Sequence, residues 1–398
     1  MPEALPVKML VSAPVKALRS ELPCEAELQR GPMSKSKVYV ENCRAYDVDA
    51  IQRIIVDALE YLDVRMPRGT SVLLKPNVLS PHPPERHITT HPAVIEAMAR
   101  LLLDNGNDIV IADSCGQPGG TENALEKSQI AALKTRLGNI TVRPMEEYPS
   151  RAYSNPRNRF LREVYLPRIL DDVECIINLP KLKSHMLVKL TAAVKNLFGC
   201  IPGGGKQHAH FMAPSAEEFS ELLVELYEFI RPRILINMID GVVGLDGFGP
   251  GTGGRLNPVG FIGLSADAVA LDIACCGAIG LDPSLVHTIE LAVDRGLSSG
   301  QIETNKDLRP VRFRVPKPFP FRTFLFKHVS GLQRRKPVVI TKKCKKCGVC
   351  AKVCPAECIA MDGYPRWDYS KCIYCYCCHE TCPHAAIKLR THFFAGRS

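Results

Sequence analysis

Residues 344–355 read CKKCGVCAKVCP, and residues 372–383 read CIYCYCCHETCP. Cys344, Cys347, Cys350 and Cys354 follow C-x2-C-x2-C-x3-C with Pro355 next, and Cys372, Cys375, Cys378 and Cys382 repeat that spacing with Pro383 next. Every matching cysteine is offset by 28 residues. Three closely spaced thiolates wrap one corner of an iron–sulfur cube, and the fourth is carried onward to another cube. The expected ligand sets are therefore Cys344, Cys347, Cys350 and Cys382 for one [4Fe-4S] cluster, and Cys372, Cys375, Cys378 and Cys354 for a second. Structural zinc prefers pairs of C-x2-C around a single tetrahedral ion. Two three-cysteine runs, each completed by Cys-Pro, do not fit that.

The spacing resembles the bacterial two-cluster ferredoxin pattern over about residues 339–392. The resemblance implies a small α+β ferredoxin-like domain, two [4Fe-4S] clusters and transfer of electrons one at a time. The internal repeat places Cys377 against Val349 and Cys358 against Ala386, so both spare thiols are expected to pack as small apolar groups. A cluster held by four thiolates is an anion, and reduction adds negative charge. Lys342, Lys343, Lys345 and Lys346 beside the first set are expected to favour the reduced state or to dock an acidic redox partner.

Ten of the chain's 17 cysteines lie between Cys344 and Cys382. A disulfide scaffold would spread them through a short secreted chain, so the clustering points to metal ligation in a reducing, anaerobic cytoplasm. The 398 residues suffice for a large buried core beside this module. From Lys37 to about Gly296, strand patterns (Val38–Val40, Ser71–Leu74, Asp108–Ala112, Cys175–Asn178, Ile234–Ile239, Val259–Leu264) alternate with helical ones (Val48–Leu62, Pro92–Asn105, Ser215–Ile230, Ala266–Gly280). Pro92 suits a first helical turn and Gly106 a helix stop. The alternation predicts an α/β domain with a mostly parallel sheet and flanking helices. Four parts follow: an extension over 1–32 preceding Met33, the α/β domain over 33–305, a basic Pro/Phe-rich linker over 306–338, and the cysteine module over 339–398.

The net charge of +10 belongs largely to the linker region. Lys306 to Lys346 holds 14 Lys or Arg against Asp307 alone, hence +13, which leaves −3 for the rest. The basic balance therefore describes a segment and excludes a nucleic-acid-binding domain. The strip Phe319–Phe326 is expected to run as an extended linker along the protein rather than on a membrane surface. The longest apolar run, Val259 to Leu281, contains Asp267 and Asp272 and reads as a strand followed by a buried helix, not a transmembrane segment. Residues 1–32 lack the continuous apolar run of a signal peptide.

Ligands of a parallel sheet bind beyond the carboxyl ends of its strands. Those ends carry Lys75-Pro76-Asn77, Asp113-Ser114-Cys115-Gly116, Lys181-Leu182-Lys183-Ser184-His185 and Asp240-Gly241. Lys75, Lys181 and Lys183 are expected to converge on one anionic group of a small molecule, with His185 beside them and Lys195 and Gly203–Lys206 near by. Lys75→Met is expected to leave folding intact. A metal held by His185, His208 and His210 with Cys115 or Cys200 is the weaker alternative, the histidines reading as surface residues. His91 reads as a helix-start residue, and Cys275-Cys276 as core.

LLKPN, THPAVIEAMARLL, IADS, NLPKLKSHMLVKLTAAVKNLFG, DGVVG and SADAVALD together resemble the domain-of-unknown-function family numbered 362, over about residues 36–295. Members of that family often carry a C-terminal ferredoxin module. The resemblance implies fold and cluster content, and no catalytic residue. Three functions are consistent with this sequence. One is an oxidoreductase relaying single electrons between the clusters and an anionic small molecule. Another is a non-catalytic electron-transfer or assembly protein whose large domain docks a partner. The third is a non-redox lyase or isomerase with structural or sensory clusters.

Overall fold

The computed structural model describes residues 34–316 and 335–390. The extension over 1–32 and the strip Phe319–Phe326 lie outside the described residues. Among the described residues, thirteen strands precede the cysteine module: β1 Ser36–Asn42, β2 Ser71–Pro76, β3 Asp108–Asp113, β4 Ile140–Pro144, β5 Ser150–Ser154, β6 Glu163–Pro167, β7 Cys175–Leu179, β8 Lys181–His185, β9 Lys189–Thr191, β10 Ile234–Gly247, β11 Gly254–Asn257, β12 Phe261–Ser265 and β13 Ile302–Thr304. The main sheet runs β13-β1-β12-β10-β7-β2-β3-β4. Pairing is parallel from β10 through β7, β2 and β3 to β4, while β12 runs antiparallel to both β10 and β1.

The central strands are buried on both faces because helices cover each side. Side chains alternate between two cores: Leu73, Ile176 and Ile239 face one, and Val72, Leu74, Ile177 and Met238 the other. Helices begin where the sequence supplies caps. His91 Nδ1 accepts from Ala93 N ahead of Pro92–Asp104, Ser215 and Glu218 close a capping box on Ala216–Ile230, and Asp267 accepts from Val269 N and Ala270 N. Helix Ala268–Ile279 is apolar all round except for Asp272, which accepts from Ala193 N and Val194 N, and it is accordingly buried, with Cys275 and Cys276 in the core.

One expectation about the chain path changes. The segment Lys181–His185 is a strand, not a loop past a strand end. Pro180 stops β7, and the chain restarts as β8 beside β10, which extends to Gly247 and past the rest of the sheet. Its burial is complete over all five residues. The first stretch of the basic segment, up to Pro316, packs along the large domain through Leu308, Phe313 and backbone bonds from Val311 N to Ala278 O and from Gly247 N to Arg314 O.

The module is a small α+β unit. Strand Lys336–Val339 pairs antiparallel with Ile387–Arg390, and Ile359–Asp362 with Tyr364–Trp367, around the short helices Val349–Lys352 and Cys377–Glu380. The second helix rests on the loop after β10. His379 Nε2 lies 3.2 Å from Phe248 O, and Thr252 Oγ1 donates to Cys382 O at 2.8 Å. The approach needs glycine: a methyl on Gly251 would overlap the Glu380 carbonyl, and one on Gly253 would stand 2.6 Å from His379 Cε1.

Candidate functional site

The rim lysines have separate partners. Lys75 Nζ pairs with Asp113 Oδ1 at 2.6 Å, both side chains buried, and donates to Pro76 O. Lys181 Nζ pairs with Asp240 Oδ2 and donates to Tyr46 Oη, each at 2.8 Å. Tyr46 stacks on His91, 3.7 Å between centroids. Among the described residues Lys183 has no carboxylate partner: it donates to Asn77 Oδ1 at 2.6 Å and Ile88 O at 2.9 Å. Burial, then Lys195 and Lys181, hold its ammonium well below the usual lysine range. The three lysines therefore do not converge on one group. Two are neutralised within the protein, and one faces a cavity.

That cavity lies between the sheet rim and the module. The large domain contributes Asn77, Asp113, Ser114, Lys183, Lys195, Lys206, Gln207 and His210, and the module contributes Cys377, Glu380 and Thr381. Two of its lining residues, Asn77 and Asn196, begin a chain of amides that runs on into the interior. Asn77 Nδ2 donates to Asn196 Oδ1, Asn196 Nδ2 to Asn178 Oδ1, and Asn178 Nδ2 to Asn237 Oδ1, all at 2.8–3.0 Å. This chain fixes Asn77 with its oxygen toward Lys183. Lys206 Nζ donates to Ser114 Oγ at 2.5 Å and Ile201 O at 2.7 Å, and burial brings its pKa down to about 8. Gly199 leaves no room for a side chain beside the Lys75–Asp113 pair.

His185 and His210 are buried, correcting their reading as surface residues, whereas His208 is exposed. His185 Nδ1 accepts from Leu187 N and Val188 N, so a neutral ring carries its proton on Nε2. Nε2 stands 3.2 Å from Glu380 Oε1 without the alignment of a hydrogen bond. Burial holds the His185 ring well below the usual histidine range and pushes the Glu380 carboxyl up to about 7, against the pull of Lys195 and Lys183. His210 stacks on Phe219 at 4.2 Å, and burial brings it down to about 3. Among the described residues, His210 Nδ1, Gln207 Oε1 and Glu380 Oε1 are buried polar atoms at this site without a hydrogen-bond partner.

Within the module two further cavities stand out. One of about 320 Å³ is lined by Cys344, Cys347, Cys350 and Cys382. Another of about 300 Å³ is lined by Cys354, Cys372, Cys375 and Cys378, with Cys358 beside them. Among the described residues no three His, Cys, Asp or Glu side chains converge closely enough for a single metal ion. Each quartet instead lines a hollow of its own. Cys358 Sγ lies 3.4 Å from Cys354 Sγ, so this spare thiol touches the second quartet. Cys377 packs on Val353 and Cys375 and also reaches the rim cavity. Lys342, Lys343, Lys345, Lys346 and Cys347 are exposed.

With this geometry in place, comparison with known proteins assigns the chain. A family model described as domain of unknown function (DUF362) matches residues 72–277, over half of the chain. The protein belongs to the DUF362 family. A 4Fe-4S binding domain model matches residues 365–388, so this DUF362 protein binds iron–sulfur in its C-terminal module. A thylakoid-associated protein of Synechocystis sp. is 34% identical over 231 residues, 58% of this chain and 69% of that one. The NADH-quinone oxidoreductase subunit I 2 of Geobacter metallireducens is 29% identical over 99 residues, 22% of this chain and 72% of that one. Among solved structures, a Thermotoga maritima protein superposes with a TM-score of 0.38 at 12% identity, covering 64% of this chain and 60% of that one. The lactate racemase apoprotein of Thermoanaerobacterium thermosaccharolyticum superposes with a TM-score of 0.37 at 10% identity, covering 61% and 56%. No helix among the described residues is long and apolar enough to cross a membrane.

Sequence reasoning reached Lys183, Lys195 and Lys206 and placed Asn77 at the rim without a role, but missed Asn196, Gln207, Glu380 and Thr381 as lining. One signal was available. KLKSH alternates charged and neutral residues at period two, the pattern of a strand presenting one polar face. Glu380 and Thr381 sit inside a cysteine run, whose spacing says nothing of what the helix faces.

Proposed function

We propose that this protein is an iron–sulfur oxidoreductase of a reducing compartment, exchanging single electrons between two [4Fe-4S] clusters and an anionic small molecule bound in the rim cavity. The observation carrying this is that one cavity is walled by Lys183, Lys195 and Lys206 of the large domain and by Cys377, Glu380 and Thr381 of the module. Clusters at the two quartets would supply one-electron transfer when bound. The residues around them do the rest. Lys206 and Lys183 offer buried N–H donors to a carboxylate or phosphate, where such bonds are strong. Asn77 holds Lys183 in place, and Phe198 closes an apolar side. Gln207 and Glu380 offer oxygens to a ligand hydroxyl. Fusion keeps module and ligand together at high effective concentration.

The exposed lysines flanking Cys347 in the sequence offer a face for an acidic redox protein. Similarity of the module to a subunit of NADH-quinone oxidoreductase supports electron transfer in general terms. Protein purified without oxygen is expected to hold about eight iron per chain, and mass spectrometry should find a co-purifying anion. Malonate and inorganic phosphate serve as probes in equilibrium dialysis. One desolvated charge-assisted bond contributes about 1.5–3 kcal/mol, so Lys183→Met and Lys206→Met should each weaken binding roughly 10- to 150-fold. Normal binding by both variants refutes the anion site, and turnover unaffected by removing the clusters refutes the redox role.

A further inference from the structure

Lys195 differs from the other cavity lysines in what holds it. Lys183 Nζ and Lys206 Nζ each donate to two protein oxygens. Lys195 Nζ lies over the faces of Phe198 and Phe219, 5.5 and 5.7 Å from their centroids. Among the described residues it makes no hydrogen bond or ion pair. Ring faces attract an ammonium without consuming its N–H bonds, so its donors stay free for whatever enters the cavity. Burial holds its ammonium below the usual lysine range, and Glu380 and Cys377 of the module, which line the same cavity, pull it back up. Lys183, His185 and His210 complete the charged and titratable surroundings. Cys377 in turn packs against Cys375 of the second quartet.

We infer that Lys195 is the positioning residue that holds an anionic ligand against the module, and that ligand binding and the charge of the neighbouring cluster are linked through it. The inference rests on the anion-site reading above. One cation then serves two anions. Adding an electron to the cluster places more negative charge opposite Lys195, and the ligand binds less tightly. Linkage is reciprocal, so a bound anion makes the cluster harder to reduce. A tenfold loss of affinity on reduction corresponds to a potential about 59 mV lower for a one-electron couple. Lys195→Met removes the shared cation without stranding a hydrogen-bond acceptor, since it has none.

The test is an EPR-monitored potentiometric titration of the anaerobic holoprotein, with dithionite as electron donor through mediators. It is run alone, with malonate, and with inorganic phosphate, and the affinity of each oxidation state is measured by equilibrium dialysis. The expected result is about tenfold tighter binding of both probes to the oxidised form and a potential about 59 mV lower for one cluster. Lys195→Met should bind the oxidised form at least tenfold more weakly, lower that cluster's ligand-free potential and largely abolish the probe-induced shift, while Lys195→Arg keeps the shift. Binding to wild type that is equal in both oxidation states, with an unmoved potential, overturns the inference but not the anion site. Failure of both probes to bind either form overturns both. A Lys195→Met protein with full iron content, wild-type affinity and a wild-type potential assigns Lys195 to the surface of the cavity only. Should that variant lose iron, the wild-type titration with Lys195→Arg still decides.

Discussion

Lys75 and Lys183 have the same side chain, comparable burial and opposite situations. Lys75 faces Asp113, a carboxyl that burial pushes up and the lysine pulls back down. Lys183 meets only neutral oxygens. Removing one partner of a buried pair strands the other, at a cost of about 3–5 kcal/mol. Lys75→Met is therefore expected to lose that much in a denaturant melt, contrary to the expectation from sequence that it would fold normally. Lys75→Met combined with Asp113→Leu should regain most of it; equal stability of the single variant and wild type would mean that the pair contributes nothing. Lys183→Met should keep its fold. The residue types were legible, because a lysine inside VLLKPNVL is conspicuous. Their partners were not, because Asp113 lies 38 residues away and nothing local specifies the pairing. Lys206 gives a pH prediction. Burial brings its pKa to about 8, below the ordinary lysine value, so the ammonium that binds an anion is present below that pH and lost above it. Malonate keeps one charge state over this range, and its affinity should fall as pH rises through about 8. An affinity flat up to pH 10 would remove Lys206 from the site.

Elements were legible where periodicity was strong. The alternation of strand and helix patterns marked the parallel sheet, and Pro92 marked a helix start. What stayed hidden is the contact between the loop after β10 and helix Cys377–Glu380, separated by about 130 residues. Glycine-rich GFGPGTGG reads locally as a flexible connection. In the fold its glycines let two backbones meet, and that meeting closes the cavity's module wall. Gly251→Ala introduces a methyl against the Glu380 carbonyl. Overpacking of this kind costs typically about 1–3 kcal/mol, and here it falls on one contact rather than on either core. Hydrogen exchange should accelerate over residues 377–382 and stay unchanged in β2, β3 and β7. Probe affinity should drop while iron content holds. Uniform exchange across the molecule, with tight probe binding, would show that the loop does not secure the module.

At the scale of the whole molecule, basic side chains gather at two separate places. Lys183, Lys195 and Lys206 line the rim cavity, and the exposed Lys342, Lys343, Lys345 and Lys346 flank Cys344 and Cys347 of the first quartet in the sequence. A surface lysine is screened and contributes little to stability, so the patch can be altered without harm to the fold. Its effect is on encounter. Like-signed charges in a cluster steer an oppositely charged partner and raise the association rate, and salt removes the gain because the Debye length shrinks to about 10 Å at 0.1 M. The exposed Tyr364 ring, under Lys346 at 4.7 Å, adds an apolar contact within the same face. The double substitution Lys342→Glu, Lys345→Glu should therefore slow reduction by an acidic ferredoxin-type donor about tenfold or more at low ionic strength. The deficit should shrink as salt rises, and reduction by dithionite, a small molecule with no docking step, should change far less. Stopped-flow rates across a salt series measure all three. A variant reduced by the protein donor at the wild-type rate at every ionic strength would place electron entry elsewhere. A variant slowed equally with dithionite would instead have an altered first cluster, and its iron content and potential would distinguish that from lost docking.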